Sequence, residues 1–242
     1  MNRAASWRQL LLAVLTCLIF GTSPAWAQVC TPPPPDIVSW WPGEGDATDI
    51  VDGNPGALMG AATTVPSFVG QGFKFGGISS DVVIVGNPSN LQLQSFTIEA
   101  WISRSATTAS SFTAGGGVVF GYGLGGYAFG LFDAGNLILT AVGVSVVISD
   151  TLAVTDLNFH HVAVTKSGST VIFYLDGVGA TASPYDPGFT FTTNAGIGAR
   201  GDQDRSGFLG MVDELAVYDR DLTADEIQAI FNAGSAGKCQ PG

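Results

Sequence analysis

The sequence predicts an all-β protein: an antiparallel two-sheet sandwich closed by one short helix. Three observations carry this. Short apolar-rich runs recur along the chain, each stopped by glycine, proline, asparagine or aspartate, the punctuation of strands and tight turns. The 242 residues include 33 glycines and 12 prolines, while only 12% are charged, a balance that suits half-buried sheets. One stretch alone, near the C-terminus, has a helical period with start and stop signals. With 46% hydrophobic residues, disorder is excluded.

Taken in order, Thr31 to Pro35 is a proline run that extends as polyproline II and leads into the fold. Ile37 to Trp41 is the first strand and stops at Pro42-Gly43. Gly72 to Phe75 and Val82 to Val85 follow. Phe96 to Ser103 alternates, so Phe96, Ile98, Ala100 and Ile102 face one side and Thr97, Glu99, Trp101 and Ser103 the other. Val118 to Tyr122, Tyr127 to Phe132 and Leu137 to Val142 form a meander, with Asp133 to Asn136 as one hairpin connection. Val144 to Ile148 is a further candidate strand. His160 to Thr165 and Thr170 to Leu175 pair through Ser167-Gly168, and Ile197 to Ala199 and Phe208 to Tyr218 close the series. The helix begins at the capping box Thr223-Ala224-Asp225-Glu226. Ile227, Ile230 and Phe231 make its apolar stripe, and Gly234 ends it.

The ends predict export. Arg3 and Arg8 precede the apolar run Leu10 to Phe20, and Ala25-Trp26-Ala27 is an A-x-A cleavage site. Residues 1–27 are thus read as a secretory signal, the alternative being lipidation at Cys17. The run is too short to cross a bilayer core of roughly 30 Å, so no membrane insertion is expected. Cleavage removes two arginines and moves the formal net charge from −11 to −13. So acidic a chain, with no Lys/Arg cluster, argues against nucleic acid. After cleavage Cys30 and Cys239 remain. In an oxidising compartment they are read as one disulfide, with two free thiols as the alternative. Residues 28–35 form the lead-in, 36–234 one domain, and 235–242 a tail carrying Cys239.

Five segments, in order, resemble a known family. They are Val38-Ser39-Trp40-Trp41-Pro42-Gly43-Glu44-Gly45, Ser95 to Ile102, His160 to Thr165, Phe173-Tyr174-Leu175-Asp176-Gly177, and Phe208 to Leu215 running on to Asp225-Glu226-Ile227. The chain resembles the laminin G-like, concanavalin A-like jelly-roll modules of extracellular proteins, which bind glycans or proteins. It departs from their pattern at Phe159, where a tryptophan usually precedes the paired histidines. The resemblance implies a jelly-roll sandwich with adjacent termini. It also implies a structural calcium ion tying the first turn to the last strand, through Glu44 and Asp213 with carbonyls from Asp49 to Gly56.

Residue chemistry argues against an enzyme. A retaining glycosidase needs two carboxyls roughly 5–5.5 Å apart, yet the four glutamates, Glu44, Glu99, Glu214 and Glu226, follow no such spacing on one strand. Asp213 and Glu214 are neighbours and point to opposite faces, as do His160 and His161. The expected function is a secreted, noncatalytic recognition module for an extracellular glycan or protein, carbohydrate first. Its aromatic candidates are Trp41, Trp101, Tyr122, Tyr127 and Tyr185. Trp41 and Trp101 match family packing positions, so Tyr185, in Ser183-Pro184-Tyr185-Asp186-Pro187, is the one expected on a binding loop. Asp202, Asp204 and Arg205 are the candidate polar rim, against a solvated turn.

Overall fold

A computed structural model describes residues 29–241; the predicted signal sequence lies outside them. Fifteen strands are present. They are β1 (Ile37–Trp41), β2 (Ala57–Met59), β3 (Thr63–Pro66), β4 (Gln71–Gly76), β5 (Val82–Gly86), β6 (Phe96–Arg104), β7 (Gly116–Gly121) and β8 (Tyr127–Phe132), then β9 (Asn136–Ala141), β10 (Ser145–Ala153), β11 (His160–Ser167), β12 (Thr170–Leu175), β13 (Val178–Thr181), β14 (Ala195–Ile197) and β15 (Leu209–Tyr218). One α-helix, α1 (Ala224–Ala233), follows β15.

They form two antiparallel sheets. The first runs β13-β12-β11-β6-β15-β4-β3, with β1 also on β15; the second runs β10-β9-β8-β7-β14-β5-β2. The early half of β15 pairs with β4 and its late half with β1. A break in register against β6 between Asp213 and Ala216 separates the halves, and Glu214 sits there at φ +58°. The predicted alternation of β6 holds. Phe96, Ile98, Ala100 and Ile102 fill the core between the sheets with Trp41, Phe73, Phe120, Phe129, Leu139 and Val217. Apolar burial of this kind drives the fold, at roughly 25 cal/mol per Å².

The other face of β6 is not solvated, because α1 covers it. The Thr223 hydroxyl accepts the Glu226 N–H while the Glu226 carboxylate accepts the Thr223 N–H, completing the predicted capping box. Ile227 and Ile230 then pack with Trp40, Ala163, Tyr174, Ala216, Tyr218 and Leu222 in a second core, and the Phe231 ring stacks on Trp101. The tail beyond α1 returns to the N-terminus. Cys30 and Cys239 are bonded with Cα atoms 4.9 Å apart, 209 residues apart in sequence, and Thr31 bridges Lys238.

Three strands lie where the sequence reading expected none: β2, β3 and β13. Each is short. β2 and β3 end their sheets on one side, and β13 ends the first sheet on the other. Ile197 to Ala199, expected as a strand, is displaced to Ala195–Ile197, because Gly198 turns the chain at φ +77°.

Candidate functional site

The outer face of the second sheet carries a cleft of about 270 Å³. Its origin is the side-chain size on β7, β8 and β9. Pairing aligns Val118, Gly130 and Ile138 in one outward row, and Gly121, Ala128, Thr140 and Val146 in the next. Gly130 between Val118 and Ile138, with Gly121 and Ala128 beside Thr140, leaves a hollow. Glycine is required at 130, since a Cβ there would sit 2.1 Å from the Gly117 carbonyl oxygen. Ala114 to Gly117, Phe132, Val142 and Gly143 complete an apolar floor and wall.

The polar rim comes from the loop between β14 and β15. Arg200 and Ser206 both line the cleft. The loop is pinned over the sheet by the Val118 N–H on the Ser206 carbonyl at 2.9 Å and the Gly201 N–H on the Gly121 carbonyl at 3.2 Å. Its sharp course puts Gln203 and Ser206 at positive φ. The Arg200 guanidinium is held by two carboxylates: Nη2 on Asp202 and Nη1 on Asp204 at 3.3 Å. Asp202 packs against Gly123, where a Cβ would touch its carboxylate. Asp204 and Arg205 are exposed, at 57% and 68%, and lie 3.7 Å apart.

The predicted rim residues Asp202, Asp204 and Arg205 therefore sit beside the cleft. The residue that organises them, Arg200, escapes a reading that starts the charged cluster at Asp202. Its signal is the pair of arginines, Arg200 and Arg205, that bracket Asp202 and Asp204. The glycine run Gly115-Gly116-Gly117 likewise reads as a turn, though it lines the cleft.

Tyr185 requires a correction. It is only 8% exposed and belongs to the main core. Its hydroxyl accepts the Ala141 N–H at 2.6 Å and donates to the Ser145 carbonyl at 2.8 Å. The ring ties its loop to the β9–β10 hairpin and offers no face for stacking. Trp41, Tyr122 and Tyr127 are fully buried and Trp101 nearly so, Trp101 beneath Phe68 and Phe231.

Glu44 and Asp213 come to the same loop, residues 67–71, by different routes. Asp213 is buried and its Oδ2 accepts the Val69 N–H at 2.8 Å; exposed Glu44 accepts the Gln71 N–H at 3.2 Å. Burial pushes the Asp213 carboxyl up to about 7 despite the Val69 bond. The donor set for calcium falls short. Both carboxylates face backbone N–H dipoles, which repel a cation. One of the expected carbonyls is engaged as well: Asn54 accepts the Trp41 indole N–H at 2.9 Å. Asp49 spends its carboxylate on the N–H groups of Trp40, Val51 and Asn54. Asp213 Oδ1 and the Ser67 hydroxyl of the same loop are both buried without a hydrogen-bond partner among the described residues. Among the described residues no group of three or more His, Cys, Asp or Glu side chains gathers to hold a metal.

Two further clusters lie on the first sheet. Lys238, 1% exposed, places Nζ 2.8 Å from Glu99 Oε1 and 3.3 Å from Glu214 Oε2, while His161 Nε2 lies 3.0 Å from Glu99 Oε2. Burial opposes ionisation of Glu99, but Lys238 and His161 outweigh it and lower its pKa. On the surface His160 bridges Asp176 at 2.7 Å and Asp156 at 3.0 Å. Burial lowers its pKa, but the bonds to Asp176 and Asp156 outweigh this and raise it.

With the geometry in hand, known proteins can be set beside it. A family model described as the concanavalin A-like lectin/glucanases superfamily, of laminin G type, matches residues 75–228. No curated protein matches the sequence. Among solved structures, domain 4 of AbnA, a GH43 extracellular arabinanase from Geobacillus stearothermophilus, in complex with arabinotriose, is similar at TM-score 0.65 and 15% identity, over 80% of this chain and 97% of that one. The binding domain of Paraclostridial Mosquitocidal Protein 1 is similar at TM-score 0.62 and 13% identity, over 82% of this chain and 52% of that one. Trypanosoma rangeli sialidase in complex with sialic acid is similar at TM-score 0.63 and 17% identity, over 86% of this chain. The chain spans about a third of the sialidase, 36% of its length. At these identities the likeness is one of fold.

Proposed function

We propose, from the premise that this chain belongs to the concanavalin A-like lectin/glucanases superfamily, that it is a noncatalytic extracellular module binding carbohydrate in the cleft of the second sheet. The observation that carries this is the union, in one hollow of about 270 Å³, of an apolar floor with the Arg200 rim. A sugar presents C–H surface on its faces and hydroxyls at its edge. Floor and rim supply the matching partners. The arabinanase domain solved with arabinotriose, nearly all of which this chain covers, supports the same ligand class.

The positions of the carboxylates support the noncatalytic reading. The cleft lining contains no Asp or Glu, Asp202 and Asp204 are committed to Arg200, and Glu99 and Glu214 are buried on Lys238. Hydrolysis by a carboxylate pair has no candidates there. An extracellular setting is supported by the disulfide. No helix among the described residues is long and apolar enough to cross a membrane.

The test is a glycan array probed with the secreted protein and with Thr140→Trp, which fills the cleft. Binding by the first and at least a tenfold loss in the second is expected. Equal binding by both would sink the assignment of the site. A structural or adhesion role through protein contacts is the second reading, favoured by exposed Leu124, Val144, Val146 and Ile148. A blank array, together with a self-association lost in Val144→Asp, would favour it. Glu44 and Asp213 we assign to anchoring residues 67–71 in place of holding calcium. Melting curves should then coincide in calcium and in EDTA, and a chelator-induced fall in Tm would restore the metal.

A further inference from the structure

We infer that the cleft selects short uncharged saccharides, of about one or two sugar rings, and rejects acidic sugars. This rests on the carbohydrate reading and names the ligand class. Size sets the first limit. A hollow of about 270 Å³ falls just under the roughly 300–1,000 Å³ that holds a drug-sized ligand. It accommodates the end or a short stretch of a glycan.

Charge sets the second limit. Arg200 would be the obvious partner for a sugar carboxylate, because a guanidinium meets a carboxylate bidentately. Here that fork is already occupied. Asp202 and Asp204 hold its two terminal nitrogens, and the buried Nε has no partner among the described residues. An anion at Arg200 would have to share it with two internal carboxylates, using only the N–H groups they leave and lying beside their charge. Arg205, the other cation of the rim, lies near Asp204 as well. Two positive and two negative groups leave the rim without net charge, on a chain whose formal net charge is −11. The long-range field therefore repels anions, and no local excess of positive charge offsets it.

The same arrangement suits hydroxyls. A carboxylate accepts only and a guanidinium donates only, so a neighbouring pair of sugar hydroxyls can donate to Asp204, the more exposed carboxylate, while accepting from the Arg200 edge. Below the rim Val118, Ala128, Ile138 and Val142 offer no polar side-chain partner, and the Thr140 hydroxyl already donates to the Ser145 carbonyl at 2.8 Å. The buried face of the ligand must be its C–H face, with deoxy and methylated rings favoured over those with axial hydroxyls pointing inward.

Matched neutral and acidic oligosaccharides decide this. Arabinotriose, galactotriose, trigalacturonate and sialic acid would be titrated calorimetrically into the full secreted chain, its Thr140→Trp form and an Asp202→Asn/Asp204→Asn form. Folding of each would be verified by its Tm. The expected result is that at least one neutral trisaccharide binds and is lost in Thr140→Trp. Trigalacturonate and sialic acid should bind at least tenfold more weakly. Freeing Arg200 in Asp202→Asn/Asp204→Asn should narrow or reverse that preference. Acid sugars that bind wild type more tightly, and lose binding in Thr140→Trp, overturn the selectivity but keep the site. Neutral binding unchanged in Thr140→Trp overturns the site. Failure of all four sugars, backed by a blank array, overturns the carbohydrate reading and the selectivity with it.

Discussion

Asp213 shows how one residue is decided by its surroundings. The family resemblance makes it a cation ligand. In the fold it is walled in by Gly72 and residues 67–71, with one oxygen on the Val69 N–H and the other without a partner. Its carboxyl is raised from 3.8 to about 7, so the folded state favours the protonated form. The contribution is fully present below the unfolded pKa near 4 and is lost as pH rises to about 7. Asp213→Asn keeps an acceptor for Val69 and removes the titration. It is expected to flatten the stability profile between pH 4 and 7 and to be more stable than wild type at pH 8. Urea melts across that range check this, and parallel profiles would exclude Asp213 as the titrating group. Tyr185 teaches the complementary lesson. Flanking prolines and an aspartate read as a surface turn, yet a ring of this size is pulled into the core once a backbone N–H and a carbonyl meet its hydroxyl.

At the scale of elements, legibility tracks burial. β6, β8 and β11 are legible because interior pairing on both sides forces apolar residues into a pattern. α1 is legible because its cap is written in four consecutive residues. β2, β3 and β13 are not, since an edge strand is paired on one side only and its side chains meet solvent; all three residues of β2 are exposed. The cleft is hidden for another reason. Its floor comes from Val118, Ala128, Ile138 and Thr140 on three different strands, and only the register of pairing brings them into line. α1 also yields a pH test. Thr223→Ala should cost about 0.5–2 kcal/mol. Hydrogen bonds from Arg220 hold the Glu226 carboxyl down, from its ordinary 4.5 to about 2. That stability is present above pH 4.5 and is lost as pH falls to about 2. Glu226→Gln should therefore be destabilising at pH 7 and indistinguishable from wild type at pH 2, as read by thermal melts.

For the whole molecule, the tail is the element that closes the structure. It brings Lys238 into a pocket of two carboxylates beneath the Trp40 ring, 4.8 Å from its centroid. Burial lowers the Lys238 pKa, but Glu99 and Glu214 outweigh it and hold it above its usual range. Lys238→Met strands Glu214 and leaves Glu99 with His161 alone, and is expected to cost about 3–5 kcal/mol. Lys238→Met with Glu99→Gln and Glu214→Gln should recover part of that loss. Chemical denaturation of the three proteins measures it, and a single variant as stable as wild type would make the cluster incidental.

The meeting of the two ends has a mechanical consequence. Cys30 and Cys239 stand at the entrance and exit of the fold, so tension applied to the flanking chain is carried by the sulfur–sulfur bond. The sheets between them bear none of it. A module built this way passes load along a tether without lengthening, like a closed clasp, and keeps its cleft intact under drag. In a force spectrometer the oxidised protein should show no unfolding step. After reduction the same pull should release the chain between the cysteines, which are 209 positions apart, a gain of about 70 nm at roughly 3.4 Å per residue. A step of that length in the oxidised protein would show that the ends are not joined.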